Sequence, residues 1–414
     1  MKRRNFLAAT ALIPLFASPV ADAANKTAAK PGGKKAPARK PAARASTRKA
    51  AKTTAPAAAA NATETADEMP PAREPRSVVN LPDEPPPQWR TYEITTTLTL
   101  PAGGPVRLWL PLAQYKDTAW QRSLGHRWRG NFASAGIHRD PVAEMEVFHA
   151  EWEGKEGGGA GPTLEVITRV ATQDRHFDIT RREVLAERTE VLRHCLQPTA
   201  QVPTDGLVRR TAERAIGRMK DPVAQAKAIY EWVVEHSTHD PRGAGFGSGN
   251  IVAMLDGGHF SGKSADIALL FVALCRSMGI PARPVFGLRI DGSRLFGSLG
   301  ASGDLAQAQH CRAEFYGPGY GWIPVDPSDV RKAIHEEALS GSDSRLAVLR
   351  KLLFGFWEMN WISYNAAQDI GLPGSPGARL PFLALPHAEN ADGRFDSLRG
   401  GRLGYAVAAR RSEA

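Results

Sequence analysis

Residues 257–283 read Gly-Gly-His-Phe-Ser-Gly-Lys-Ser-Ala-Asp-Ile-Ala-Leu-Leu-Phe-Val-Ala-Leu-Cys-Arg-Ser-Met-Gly-Ile-Pro-Ala-Arg, and the fold turns on what this stretch forms. From Ile267 to Cys275 it is apolar almost all round, the pattern of a helix enclosed in a core. Gly279-Ile280-Pro281 is a helix stop, so the helix should run from Lys263 or Ser264 to about Met278. Its entrance has two readings. Gly257 to Ser264 matches the phosphate-loop pattern G-x-x-x-x-G-K-S, preceded by the apolar run Ile251 to Leu255. That reading, the distant one, needs a strand before the loop and an apolar strand with an acidic end after it. Val285 to Asp291 is a poor version of the latter. In the other reading Ser264 stands where a buried helix presents a nucleophile.

The segment downstream supplies a partner for such a nucleophile. His310-Cys311-Arg312-Ala313-Glu314-Phe315-Tyr316 alternates, which puts Cys311, Ala313 and Phe315 on a core face and His310, Arg312 and Glu314 on the other. Gly317-Pro318-Gly319 turns the chain and Trp322-Ile323-Pro324-Val325-Asp326 returns it. A turn centred near Pro318 predicts that His310 lies opposite Asp326, within hydrogen-bond reach. An imidazole fixed by a carboxylate is the base half of a triad. The plainer alternative is a surface histidine beside a turn aspartate.

The third member belongs at the N-terminus of the buried helix. There the helix dipole and free N–H groups lower a thiol's pKa and offer oxyanion donors. Ser264 holds that place. Cys275 lies about 16 Å further down the helix and Cys311 faces away from His310, so both read as buried inert thiols. With Cys195 these are the chain's only cysteines. No Cys or His spacing suits a metal, and no cofactor is expected.

The helix entrance, Gly279-Ile280-Pro281-Ala282-Arg283, the His310 strand and Gly319-Tyr320-Gly321-Trp322-Ile323-Pro324-Val325-Asp326-Pro327 together resemble the core of the transglutaminase-like superfamily, in particular its exported bacterial members. The resemblance runs from about Gln88 to the C-terminus. It implies an α+β, papain-like fold, in which a nucleophile helix packs on an antiparallel sheet. It also implies a Cys-His-Asp triad falling on Ser264, His310 and Asp326, and acyl transfer at amides. Relatives typically carry Gly-Gly-Lys-Cys-Ala-Asp where this chain has Ser261-Gly262-Lys263-Ser264-Ala265-Asp266, and a cysteine at the position of Phe246. A serine hydroxyl is not ionised at neutral pH, whereas a thiol at a helix N-terminus is readily a thiolate. Two expectations follow. One is a catalytically impaired or non-catalytic protein whose cleft binds a protein, a peptide or a peptidoglycan-linked amide. The other is an acyl-transfer enzyme, whether amide hydrolase, peptidase or transamidase, using Ser264, His310 and Asp326. The missing sulfur favours the first.

Outward from this core, residues 88–180 read as a small β-rich domain, with strands at Tyr92 to Leu100, Val106 to Pro111 and Thr163 to Thr172. The core itself is expected over 200–335, with helices at Asp205 to Met219 and Asp221 to Glu235. Residues 336–414 should complete it, through a helix from Leu346 to Trp361 and a strand near Leu403 to Ala408.

The N-terminal end is of another kind. Met1-Lys2-Arg3-Arg4-Asn5-Phe6-Leu7, a short apolar stretch and Ala21-Asp22-Ala23 read as a twin-arginine-like signal peptide over 1–23, hence a periplasmic or secreted protein. Residues 24–87 are poor in apolar side chains and read as a disordered linker. Between Lys26 and Lys52 stand ten Lys or Arg and no acid, which equals the net charge of +10, so the folded part is close to neutral. Behind an export signal that tail is a spacer or a ligand for anionic envelope polymers, not for nucleic acid. No run of about 18 apolar residues marks a membrane span.

Overall fold

A computed structural model describes residues 88–412 apart from 142, 155–160, 179, 181, 183, 244 and 397–402. The expected signal peptide and linker lie outside the described residues. Among the described residues no helix is long and apolar enough to cross a membrane.

Strands come first: β1 (Arg90–Thr99), β2 (Val106–Pro111), β3 (Gln121–Gly130), β4 (Ser134–Asp140), β5 (Met145–Trp152), β6 (Thr163–Thr172) and the short β7 (Arg175–His176). Then follow α1 (Thr189–His194), α2 (Gly206–Ile216), α3 (Pro222–His236), β8 (Thr238–His239), α4 (Ile251–Asp256) and β9 (Ser261–Gly262). The chain continues through α5 (Ser264–Ser277), β10 (Ala282–Arg289), β11 (Gln309–Gly317), β12 (Gly321–Val325), α6 (Pro327–Glu336) and α7 (Ser344–Leu352). It closes with β13 (Phe356–Trp357), β14 (Trp361–Asn365), β15 (His387–Asn390), β16 (Gly393–Asp396) and β17 (Gly404–Ser412).

Two antiparallel sheets, ordered β17-β1-β6-β3 and β16-β15-β2-β5-β4, enclose one apolar core of Leu98, Leu108, Phe148, Trp152, Val166 and their neighbours. Strand β1 shows why: Tyr92, Ile94, Thr96 and Leu98 are buried while alternate residues are not, the period-2 signature of a strand with one buried face. Strands β3 and β4 escaped the sequence reading because they are polar and largely exposed, with no apolar alternation to mark them.

The second centre is built around α5, in which every residue from Ala265 to Ser277 is buried. A helix enclosed on all sides needs cover on all sides. It packs on β10 and β11 of the antiparallel sheet β12-β11-β10-β14 and against α2, α3, α4 and α6. This is the α+β arrangement expected, a buried helix on an antiparallel sheet preceded by a β-rich part. Helix α3 starts where the sequence places it, with Pro222 in its first turn and the Asp221 side chain accepting the Ala224 N–H at 2.8 Å.

Three expectations are corrected. The run Ile251 to Leu255 is helix α4, not a strand, so the phosphate-loop reading loses its first requirement. The helix expected to reach Trp361 ends at Leu352. Gly355 adopts φ +133°, and Trp357 and Trp361 turn into strands that pack with Trp120 and Val285. Their helical spacing is coincidental. Finally, residues 336–414 do not all complete the core. Strand β14 joins the core sheet beside β10, but β15 pairs with β2 and β17 with β1 in the β-rich part. The reason is pairing capacity. Strands β1 and β2 each have one flank free after joining β6 and β5, and an unpaired flank recruits a strand.

Candidate active site

Ser264 is the first residue of α5 and Lys263 its N-cap. Asp266, two residues on and buried, organises the entrance. One carboxylate oxygen accepts the Lys263 N–H at 2.9 Å; the other accepts the N–H groups of Ser248 at 3.0 Å and Gly249 at 2.7 Å. The Ala265 N–H donates to Phe246 O at 2.8 Å, so residues 246–249 are strapped across the helix start. The strap needs two glycines. Gly247 has φ +115°, and a Cβ there would fall within the Asp266 carboxylate; one at Gly262 would lie 2.6 Å from Asp266 Cβ. Gly247→Ala is expected to cost about 1–3 kcal/mol and to open residues 240–250 to limited proteolysis. Wild-type stability and cleavage in that variant would contradict the strap. Phe246 is buried against Phe286 and Phe382.

The hairpin delivers the other two residues. His310 Nε2 lies 2.8 Å from Asp326 Oδ2, and both side chains are buried. The register differs from the one expected. Gly317 pairs with Gly321 and Ala313 with Val325, so the turn is centred on Gly319 at φ +81°. Arg312, not His310, then falls opposite Asp326, and its Nε is 3.3 Å from Asp326 Oδ2. His310 reaches the same carboxylate diagonally, because residues 310 and 312 share a strand face. The other Asp326 oxygen caps α6, accepting the Asp329 N–H at 2.9 Å and the Ser328 hydroxyl at 2.7 Å. One carboxylate thus serves the base and anchors the helix behind it.

Asp329 and Arg289 complete the cluster, and neither had been singled out in the sequence. Arg289 is buried and donates to both Asp329 oxygens, one of which lies 3.5 Å from His310 Nε2. The available signal was Asp326-Pro327-Ser328-Asp329, a helix start with an acid in its first turn. Burial, then the Arg289 charge, push the His310 pKa below its usual value despite the two carboxylates. His310 is therefore neutral at neutral pH, with Nε2 taken by Asp326 and Nδ1 left to accept a proton. His310, Asp326 and Asp329 are the only described residues that offer clustered metal-ligating atoms. Arg289 and Arg312 already balance both carboxylates, which leaves no excess negative charge for a dication.

Ser264 Oγ accepts the Cys311 N–H at 3.2 Å and lies 3.4 Å from Phe246 O, to which its hydroxyl can donate. Ser264 and His310 line one open cleft of about 340 Å³, walled by residues that include Phe246, Lys263, Arg289, Asp304, Lys332 and Glu336. The structure thus brings Ser264, His310 and Asp326 together at one place. Cys195, Cys275 and Cys311 are unpaired and buried, and burial raises the pKa of each thiol. Glu314 meets Arg175 at 2.6 Å and Arg283 at 2.5 Å.

A family model described as the transglutaminase-like superfamily matches residues 209–327, which spans α5, the His310 strand and Asp326. An uncharacterised protein of Haemophilus influenzae strain Rd is 32% identical over 320 residues, covering 72% of this chain and 85% of that protein. Among solved structures, a candidate cysteine protease from Cytophaga hutchinsonii superposes with a TM-score of 0.51. It is 13% identical and covers 79% of this chain and 92% of its own. The periplasmic domain of TgpA from Pseudomonas aeruginosa matches more loosely, at TM-score 0.32 and 14% identity over 63% of this chain and 92% of that one. With a buried helix opening at Ser264, a His310–Asp326 pair at its mouth and relatives that match over most of their length, the chain belongs to the transglutaminase-like superfamily.

Proposed function

We propose that this is an exported transglutaminase-like protein whose cleft binds a peptide-type amide, free or linked to peptidoglycan, without turning it over at the rate of a thiol enzyme. The observation that carries the reading is the environment of Ser264. Its hydroxyl sits between two main-chain groups, Phe246 O and the Cys311 N–H, so its proton has a carbonyl acceptor in place of His310. A hydroxyl held this way is a hydrogen-bonding group for a ligand before it is a nucleophile. Export rests on Met1 to Ala23, and the basic stretch from Lys26 to Lys52 is a tether suited to anionic envelope polymers.

One observation favours the second reading, acyl transfer by Ser264. A neutral His310 with Nδ1 unengaged is the state a serine needs: Nδ1 takes the Oγ proton as Oγ adds to the amide carbonyl, and Asp326 steadies the imidazolium. The amine then leaves with that proton, and water or a second amine releases the acyl group from Ser264. Comparing the native chain with Ser264→Ala on a panel of glutamine and peptide amides separates the two. We expect equal peptide binding and equal, background turnover. Turnover by the native chain that vanishes in Ser264→Ala would establish the serine enzyme instead.

A further inference from the structure

Two lysines stand beside Ser264 without partners. Lys263 precedes it at the N-cap of α5, and Lys332 lies on α6, three residues beyond Asp329; both line the cleft with Ser264 and His310. Among the described residues neither ammonium makes a hydrogen bond or an ion pair, although each carries three N–H donors. Lys332 has the usual helical partner at hand, Glu336 four residues on, yet Glu336 instead lies 3.5 Å from His239 Nε2. The acids of the cleft are already occupied. Asp329 is held by Arg289, and Asp304 accepts the N–H groups of Ala306 and Val407, each at 3.0 Å. Lys263 is fixed by its stem: a Cβ at Gly243 would lie 3.6 Å from its Cγ and 3.7 Å from its Cε. What remains is a half-buried pair of cations next to the reacting position; Asp329 and Glu336 act on Lys332 only through space, so its N–H donors are open to a ligand carboxylate.

We propose that the cleft recognises amides that carry a carboxylate beside the bond presented to Ser264, with Lys332 and Lys263 as the counter-ions of that carboxylate. The proposal rests on the reading of the cleft as a peptide-amide site and names the chemical class of its ligand, an acidic peptide. The electrostatics agree with it. Burial first, then Arg289, hold the Lys332 pKa below its usual value; the Asp329 and Glu336 charges offset only part of this, and Lys263 adds to the lowering. An anion bound between the two lysines relieves this repulsion. Uncharged amides of the same shape leave it in place, so the discrimination is built into the empty site.

Capped tetrapeptides that differ in one charge test this: acetyl-Ala-Gln-Glu-Ala-amide and acetyl-Ala-Glu-Gln-Ala-amide against acetyl-Ala-Gln-Gln-Ala-amide. Binding to the full chain is measured by calorimetry at low and at high salt. At least one acidic peptide is expected to bind about tenfold more tightly than the neutral one, with the preference shrinking as salt rises. Lys332→Gln should bring the ratio to within about twofold of one by weakening the acidic peptides, while Lys332→Arg keeps the preference. Equal affinity for all three peptides in the native chain would overturn the proposal and leave the peptide-amide reading standing. A preference that survives in both Lys332→Gln and Lys263→Gln would overturn it too. If no peptide binds at all, the peptide-amide reading fails, and this inference with it.

Discussion

Ser264→Cys is expected to give this chain a reactive thiol. At pH 7 an ordinary thiol is about 3% thiolate, whereas one at a helix N-terminus beside an imidazole can be mostly ionised, a gain of about thirtyfold. The lower nucleophilicity of a more acidic thiol takes back part of this, so alkylation by iodoacetamide should run about tenfold faster than for an unperturbed cysteine. The native chain provides a clean background. Cys195, Cys275 and Cys311 are buried with raised pKa values, so the modified peptide in a digest should be the one containing position 264. Amide turnover should rise with it, by about a hundredfold or more over the native chain, since a thiolate is a far stronger nucleophile than an un-ionised hydroxyl at the same position. His310→Ala in the Ser264→Cys background should lower both rates. Alkylation indifferent to His310 would mean that the imidazole does not reach position 264, and the triad geometry would be wrong.

Loss of the Asp326 carboxylate should damage stability as much as chemistry. Asp326 pairs with buried His310 and Arg312 through one oxygen and caps α6 through the other. Arg312 further meets the Glu358 carbonyl at 3.1 Å and the faces of Trp361, at 4.6 Å, and Trp357, at 5.8 Å. Removing one member of a buried pair strands the other's charge at a cost of about 3–5 kcal/mol. Losing the cap adds about 1 kcal/mol, although contacts that share a residue need not sum. Asp326→Ala is therefore expected to lower the urea-unfolding free energy by about 3–5 kcal/mol. Asp326→Asn keeps an N-cap acceptor and isolates the ionic part. Wild-type stability in both variants would show that Arg312 finds another counter-charge and that Asp326 is not the keystone of the cluster.

The legible parts of this protein were those with a period or a punctuation mark. The all-apolar run after Ser264 announced a buried helix, Gly279-Ile280-Pro281 its end, and the alternation from His310 to Phe315 a strand with two unlike faces. The polar strands β3 and β4 carried neither signal, since an edge strand needs only backbone pairing and has little to bury. Trp357 and Trp361 misled for the opposite reason. A helical interval between large apolar residues means a helix only if the helix reaches them, and this one ends at Leu352, with Gly355 turning the chain before Trp357. Within the site, Ser264, His310 and Asp326 could be named because each occupies the start or end of a recognisable element. Arg289, Asp329 and Lys332 act through distances that no local pattern encodes.

The sequence by itself determined the main elements and their order: an enclosed helix opening on Ser264, a histidine strand, and a returning strand that ends on Asp326. Those follow from local physics, namely periodicity, capping and the rigidity of proline and glycine. Only the tertiary structure decided the register that sets Arg312 opposite Asp326 and the hydrogen bonds that hold the Ser264 hydroxyl against the main chain. It also decided which strands the last residues join, and which side chains line the cleft. Such features depend on several ångström-scale distances between segments tens to hundreds of residues apart, and a linear pattern carries no record of them.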